Sequence, residues 1–346
     1  MAVHPSRRDL IAFGAAGLIG APWSRAFAGA LDGRRIRYLI GNEGSGGYEQ
    51  YARLFARHFA LALPDTRLTV EVVPTADGRL AAKRIFEAQA GDLTIGLFES
   101  ALIYAEVLGE EDARFDLAGF NWLGKLAVDE RVAIASKLSG IRSIDDLRTR
   151  SEPAIYPAST IASRGSFECF ILDHLLALPI KPVPGYDGGQ RALAMISGEA
   201  QIVVGSYASL RTLVEEEGAV VILRLNDVPR PGAPASAPLL RDVAPDPVSR
   251  LTDLIELSGN LGRWIAAPPS TDSADVEALR QAFDSTMRDS AFLAEAARLK
   301  IPIDPLGGAE VQGLVATLFD DKAGLQAELR AAVDCGRARA AGARSC

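Results

Sequence analysis

Strand-like and helix-like segments alternate along most of this chain, and no other property of the sequence narrows the fold as much. Residues 35–40 read as a strand, 41–47 as a glycine-bearing loop and 48–63 as a helix with Tyr51, Leu54, Phe55, His58, Phe59 and Ala62 on one face. Strand 68–73, helix 80–90, strand 93–97 and helix 100–108 continue the order. After a changeover near 121–136 the pattern resumes. A short helix opens at Ser143, and then come strand 154–156, helices 166–178 and 190–197, strand 202–204, helix 206–217 and strand 220–225. The Pro- and Ala-rich stretch 228–247 breaks the order, a last strand covers 264–267, and the remainder reads as helices. Such alternation predicts an α/β fold with mostly parallel sheets covered by helices. The break in mid-chain predicts two lobes, one from about 29–128 plus 229–346 and a second, 129–228, inserted into it. Ligands of open α/β sheets bind beyond the carboxyl ends of strands, so the expected site is the cleft between the lobes.

The first 28 residues are a different object. Ser6-Arg7-Arg8-Asp9-Leu10 sets paired arginines before an apolar run, Ile11 to Trp23, that is too short to span a bilayer. Ala26-Phe27-Ala28 follows as a small-residue cleavage pattern. The order of these features predicts a twin-arginine export signal, cleavage near Ala28 and a periplasmic mature protein. An oxidising periplasm bears on the cysteines. Cys335 and Cys346 flank a short Arg-, Ala- and Gly-rich tail, where they can pair or stay as two thiols. Cys169 lies in the apolar stretch 167–172 with no His or cationic neighbour in sequence, and reads as a packing thiol.

The chain is acidic, with 37 Lys+Arg against 44 Asp+Glu and a formal charge of −7, and it carries no basic run. That argues against a nucleic-acid partner or an anionic membrane surface. Three His and three Cys argue against a Cys/His zinc cluster, and no metal or cofactor is expected. An enzyme would need a nucleophile or a general base. His58 lies on the apolar face of one helix and His174 inside another, and both read as structural. GxSxG and HExxH are absent. The carboxylates Glu49, Asp77 and Glu99 could meet in the cleft as acid and base, but Glu49 is more simply a complement to a helix dipole.

Three glycine-bearing loops each precede a helix. Gly44-Ser45-Gly46-Gly47 comes before Tyr48-Glu49, and amides at a helix N-terminus make an anion site, with a flexible strand–helix connector as the alternative. Ser159-Thr160-Ile161-Ala162-Ser163-Arg164-Gly165-Ser166 is rich in hydroxyl donors, with a simple helix cap as the alternative. Gly185-Tyr186-Asp187-Gly188-Gly189-Gln190 is the third, with a plain turn as its alternative. The segment Val73-Pro74-Thr75-Ala76-Asp77-Gly78 and the loop at Phe98-Glu99-Ser100 follow strands and occupy equivalent edges. The expected contacts are therefore Ser45, Gly46, Gly47, Glu49, Ala76, Asp77, Gly78, Glu99, Ser159, Thr160, Gly165, Ser166, Tyr186, Asp187, Gly188 and Gly189.

Gly46-Gly47-Tyr48-Glu49-Gln50-Tyr51-Ala52-Arg53 resembles the G-G-x-D-x-x-A-R motif of Bug-type extracytoplasmic receptors, the solute-binding proteins of tripartite tricarboxylate transporters. Gly185 to Gly189, followed by Ala194 to Gln201, resembles that family's Y-x-G and G-[EQ]-x-D segments. Phe120 to Gly124 and Trp264 to Ala282 are similar to two further family stretches, in the same order along residues 35–320. The resemblance implies a type II, Venus-flytrap periplasmic binding protein that acts as a monomer. It also implies capture of a small organic acid on loop amides and Ser166, and delivery to a membrane transporter. Three departures reshape the cleft: Glu49 for Asp, Pro74-Thr75-Ala76-Asp77-Gly78 for P-G-A-G-G, and Gln201 for Asp. The longer Glu49 and the added Asp77 carboxylate make it less hospitable to a multiply charged anion.

Overall fold

The computed structural model describes residues 31–41, 47–63, 65–73, 78–229, 231–246 and 249–343. Residues 1–28, expected to be an export signal, lie outside these residues, as do Ser45, Gly46, Ala76, Asp77 and Cys346. The elements run β1 (Arg35–Ile40), α1 (Gly47–Ala62), β2 (Arg67–Val72), α2 (Arg79–Phe86), β3 (Thr94–Phe98), α3 (Ala101–Leu108), β4 (Asn121–Ala127) and β5 (Arg131–Ala135). Next come α4 (Ile144–Arg148), β6 (Ala154–Ala158), α5 (Arg164–Leu176), β7 (Ile180–Pro184), α6 (Gly188–Ser197), β8 (Ile202–Ser206), α7 (Tyr207–Glu215) and β9 (Val220–Arg224). The chain closes with α8 (Leu240–Val243), α9 (Arg250–Asn260), β10 (Arg263–Ala267), α10 (Ser273–Arg288), α11 (Ser290–Arg298), β11 (Leu306–Gly307), α12 (Gly308–Phe319) and α13 (Lys322–Ala340).

The strands form a six-stranded sheet, β11-β4-β10-β3-β1-β2, a three-stranded sheet, β8-β5-β9, and the pair β6-β7. The fold is two-lobed, with the larger sheet in one lobe and the two smaller ones in the other. Among the described strands, β1-β2, β1-β3 and β6-β7 pair parallel, where a helix carries the chain back between neighbours, and a single parallel bridge joins Arg224 to Leu239. Elsewhere the pairing is antiparallel, so the sheets are mixed rather than mostly parallel. The reason is the double crossing: β4 leaves the larger sheet, β10 re-enters it, and each runs against its neighbours.

Burial follows sequence pattern closely. On α1, Tyr48, Ala52, Phe55 and Phe59 recur at helical spacing and are buried against the larger sheet. A stack of aromatics, Trp122 on Trp264 with centroids 4.0 Å apart and Phe98 edge-on to both, fills its other face. α5 is apolar around most of its circumference, which requires a second cover. The C-terminal helix α13 supplies it. Gly336 lies so close to Phe170 of α5 that a Cβ there would overlap the ring. Arg339 pairs with Asp173 of α5 at 2.7 Å. The other end of α13 is tied to α3: Lys322 to Glu106 at 2.7 Å, Gln326 Nε2 donating to Val107 O and Arg330 Nη2 to Leu108 O. One helix thus straps both lobes. Cys335 on it is disulfide-bonded, whereas Cys169 is a free thiol whose burial pushes its pKa far up.

The chain crosses between sheets twice, and the crossings are zipped together. Leu225 N donates to Arg131 O, and the Asn226 side chain accepts from Arg131 N at 2.8 Å while its Nδ2 donates to Asp129 O and Asn260 Oδ1. Asp129 N donates to Gly259 O, and a Cβ on Gly262 would overlap the Asp129 backbone. Among the described residues no helix is long and apolar enough to cross a membrane.

Two glycines in the C-terminal helices should respond with opposite signs. Gly336→Ala drives a methyl into Phe170 and should destabilise by about 1–3 kcal/mol. Gly313→Ala, at an exposed position of α12 with open space around a Cβ, should stabilise by about 0.5–1 kcal/mol. Urea denaturation of both variants against wild type checks the signs.

Candidate functional site

A cleft of about 340 Å3 opens between the lobes where β3, β6 and β8 end. The larger-sheet lobe contributes Tyr48 from the first turn of α1, Glu99 and Ser100 from the β3–α3 junction, and Arg263 at the start of β10. Asp129 stands at the first crossing. The facing lobe contributes Arg131, Tyr156 and Ser159 from β5 and the end of β6, Ser163 to Gly165 at the mouth of α5, Arg191 on α6, and Ser206 and Ser209 around the end of β8.

Local chemistry positions these groups. Ser163 caps α5 by accepting from Ser166 N, and so points Arg164 into the cleft. Gly165 has no room for a Cβ, which would overlap the Tyr156 hydroxyl, so its small size lets α5 close onto β6. Asp187 caps α6 through a reciprocal box with Gln190, which sets the first turn that carries Arg191. Arg263 lies over the rings of Tyr48 and Tyr51, at 5.2 and 5.6 Å from their centroids.

Behind the wall runs a buried ion network. Arg131 grips Glu168 with two nitrogens, Nε at 3.1 Å and Nη2 closer still. Arg164 donates from Nε to Glu168 Oε1 at 2.9 Å, from Nη1 to Asp129 Oδ2 at 3.1 Å, and from Nη2 to Ser258 Oγ of α9. Glu168 is fully buried and Asp129 is 5% exposed. Burial alone would push the Asp129 carboxyl up; Arg263, Arg131 and Arg164 outweigh it and hold the pKa down at about 2. Burial likewise opposes the charge on Arg131, but Glu168 and Asp129 more than offset it and raise the guanidinium pKa. Three buried atoms of the cleft have no hydrogen-bond partner: Arg191 Nε, Arg263 Nε and Asp129 Oδ1. Among the described residues no group of His, Cys, Asp and Glu could hold a metal ion.

Of the residues expected from sequence, Glu99, Ser159 and Gly165 line this cleft. Thr160 and Ser166 are adjacent, but the Ser166 hydroxyl turns back to donate to Thr160 O at 2.8 Å. Tyr186 donates to Glu199 at 2.5 Å and faces a separate shallow groove with Gln190. Asp187 is the α6 cap, and Gly188 and Gly189 form that helix's first turn. Gly47 opens α1, and Glu49 on the same turn pairs with Arg53 at 2.6 Å. Gly78, at φ 76°, precedes α2 and packs on Gly41. His58 bonds Glu295 at 2.8 Å on the packed side of α1, while His174 is exposed. Sequence reasoning missed the arginines. Arg131 carried a signal, as a charge leading into the wholly apolar strand 132–135, and Arg164 stood inside a loop already singled out.

No family model matches this sequence, and no curated protein does. Solved structures do match in fold. A TctC solute-binding protein from Polaromonas superposes with a TM-score of 0.66 at 14% identity, covering 87% of this chain and 98% of its own. A protein from R. palustris solved with adipate gives 0.65 at 14% identity, covering 87% and 97%. MatC from Rhodopseudomonas palustris, solved with bound malate, gives 0.62 at 17% identity, covering 87% and 99%. The chain therefore has the fold of the solute-binding proteins of the TctC and Bug type.

The buried network has a definite pH signature. A carboxyl whose pKa falls from 3.8 to about 2 on folding stabilises the native state above its unfolded pKa and loses that contribution as pH falls through the folded one. The stake is about 2 kcal/mol, lost between about pH 4 and about pH 2. Urea midpoints of wild type and Asp129→Asn should differ at neutral pH and converge over that window.

Proposed function

We propose that this chain is an extracytoplasmic solute-binding receptor, a divergent Bug-type member that captures a small organic acid in the cleft and presents it to a membrane transporter. The observation that carries this reading is a pair of guanidinium groups from opposite lobes. Arg263 and Arg191 each bring a buried, unpartnered Nε to the same cleft. Buried donors without partners are costly, and a carboxylate contacting both would satisfy them and hold the lobes together. The fold neighbours with adipate and malate add support from their own ligands.

The first lobe is about 29–128 plus 229–346, and 129–228 is inserted; sheet membership supports this, since β1–β4, β10 and β11 share one sheet and β5–β9 form the others. The loop near 232–239 leans to the inserted lobe through Glu130 and Arg224, which moves the return crossing toward Leu240. Residues 1–28 are a twin-arginine export signal cleaved near Ala28, and the mature protein works in the periplasm as a monomer. The receptor binds without turnover: a general acid or base needs a pKa near the working pH, and Asp129 is held far below it.

Thermal shift of the mature protein against a panel of mono-, di- and tricarboxylates tests the reading. A cognate acid at a hundredfold excess over Kd should stabilise by about 2.7 kcal/mol. Arg191→Ala should weaken that acid at least about tenfold, because a charge-assisted bond is lost. The apo melting temperature should barely move, since Arg191 is only half-buried and has no side-chain partner to lose. A panel without a single stabilising acid overturns the proposal.

A further inference from the structure

Away from the interlobe cleft, positive charge collects at a second concave place. A pocket of about 290 Å3 lies where the end of α4 and the loop after it, the turn from α5 into β7, and the last turn of α13 meet. Four of its lining side chains are cationic, Arg148, Arg150, Lys181 and Arg339, and one is anionic, Asp173. The whole chain carries a formal charge of −7, so the pocket runs against its surroundings. It stands at the opposite end of β6 from the cleft: Pro153, just before that strand, lines the pocket, and Ser159, just after it, lines the cleft. The five residues of β6 hold the two sites about 16 Å apart.

Ordinary structural roles account for half of this charge. Arg148 donates to Asp145 at 2.7 Å and to Leu176 O, at the end of α5, at 3.1 Å. Arg339, in the last turn of α13, pairs with Asp173 at 2.7 Å and complements the helix dipole. Arg150 and Lys181 are left over. Both are half-buried, and among the described residues neither pairs with a carboxylate; Arg150 Nε donates to a main-chain oxygen, Glu152 O, at 3.2 Å. Two uncompensated cations lining one pocket repel each other, and partial burial weakens the screening by water that would relieve them. An anion of charge close to two removes that cost. A carboxylate brings one charge and two oxygens in a plane. A terminal phosphate group brings close to two charges and three acceptor oxygens, which guanidinium forks and an ammonium group can approach from different sides.

We propose that this pocket is a second binding site, specific for a terminal phosphate group, held by Arg150 and Lys181 with Arg148 and Arg339 beside it. Arg339 belongs to α13 and the other three to the inserted lobe, so the bound group clips the end of that helix in place and its occupancy is read as stability. The site is independent of the organic-acid reading of the cleft, and neither stands or falls with the other.

Inorganic phosphate is the probe. The melting temperature of the mature wild-type protein is followed as phosphate replaces chloride at constant ionic strength and neutral pH, and calorimetric titration gives the affinity. A saturable rise is expected; the general salting effect of phosphate does not saturate and is common to all variants. Lys181→Gln and Arg150→Gln should each weaken phosphate about tenfold. Neither should lower the melting temperature in chloride, since neither side chain has a carboxylate partner to lose. Arg191→Gln, which alters the interlobe cleft, should leave the phosphate affinity unchanged. Sedimentation with phosphatidylcholine vesicles containing phosphatidic acid separates the sources of the group: pelleting that depends on Lys181 assigns it to a lipid, and titration without pelleting assigns it to a free phosphate. Stability in phosphate no higher than in chloride, together with no pelleting, overturns the inference. Phosphate binding that survives intact in both Lys181→Gln and Arg150→Gln overturns it too, as does binding that disappears in Arg191→Gln, because the anion then sits in the cleft.

Discussion

The ion network of Asp129, Arg131, Arg164 and Glu168 is the constraint on which the rest of the molecule depends. It lies where the chain first crosses between lobes, and its members come from the crossing itself, from β5 and from α5. Such a network is expensive to desolvate and tolerable only when every charge has a partner. Each arginine does: Arg131 is held by Glu168, and Arg164 by Glu168, Asp129 and Ser258. Breaking any one member would strand another charge in the interior. The network therefore pins the first turn of α5 to the crossing, and with it the wall of the cleft.

Two features convert that local rigidity into a two-lobed machine. The crossings are narrow and hydrogen-bonded to each other through Asn226, with Gly259 and Gly262 admitting the close approach. Away from them, α13 holds α3 of one lobe and α5 of the other by polar ties at both ends. A hinge motion about the crossings would have to work against this strap on the far side. Arg164 to Ser258 is a direct bond from α5 to α9, which joins the buried charges to the segment that leads into β10.

The parts of this arrangement legible in the sequence were those with local signals. Strand–helix alternation located β1 to α3 and most of the inserted lobe, and the capping residue Ser143 acts where its chemistry suggests, whereas Asp187, expected as a ligand contact, is the cap of α6. The changeover at 121–136 was unreadable as β4 and β5 because both strands are buried on both faces, which erases alternation. The helix α9 escaped notice behind the Pro-rich stretch, although Ser249 caps it in the usual way. In the site, the hydroxyl-rich loop at 159–166 was found, but Arg131, Arg191 and Arg263 were not. Each is a lone charge in its own element, more than twenty residues from the next, and only the double crossing brings them together. No periodicity records a convergence of that kind.

The same convergence separates two ways of binding an acid. Loop amides and helix N-termini offer partial positive charge that tolerates any anion of suitable shape, and the glycine loops of this chain suggested that mode. Guanidinium groups offer full charge in a fixed fork, and a full charge in a cleft must be neutralised when the ligand leaves as well as when it arrives. Between ligands that balance falls to Asp129 and its neighbours, whose carboxylates stand among the arginines. A ligand that displaced those internal pairs would have to replace them in kind, anion for guanidinium and donor for carboxylate. Selectivity in such a site comes from the pattern of both signs.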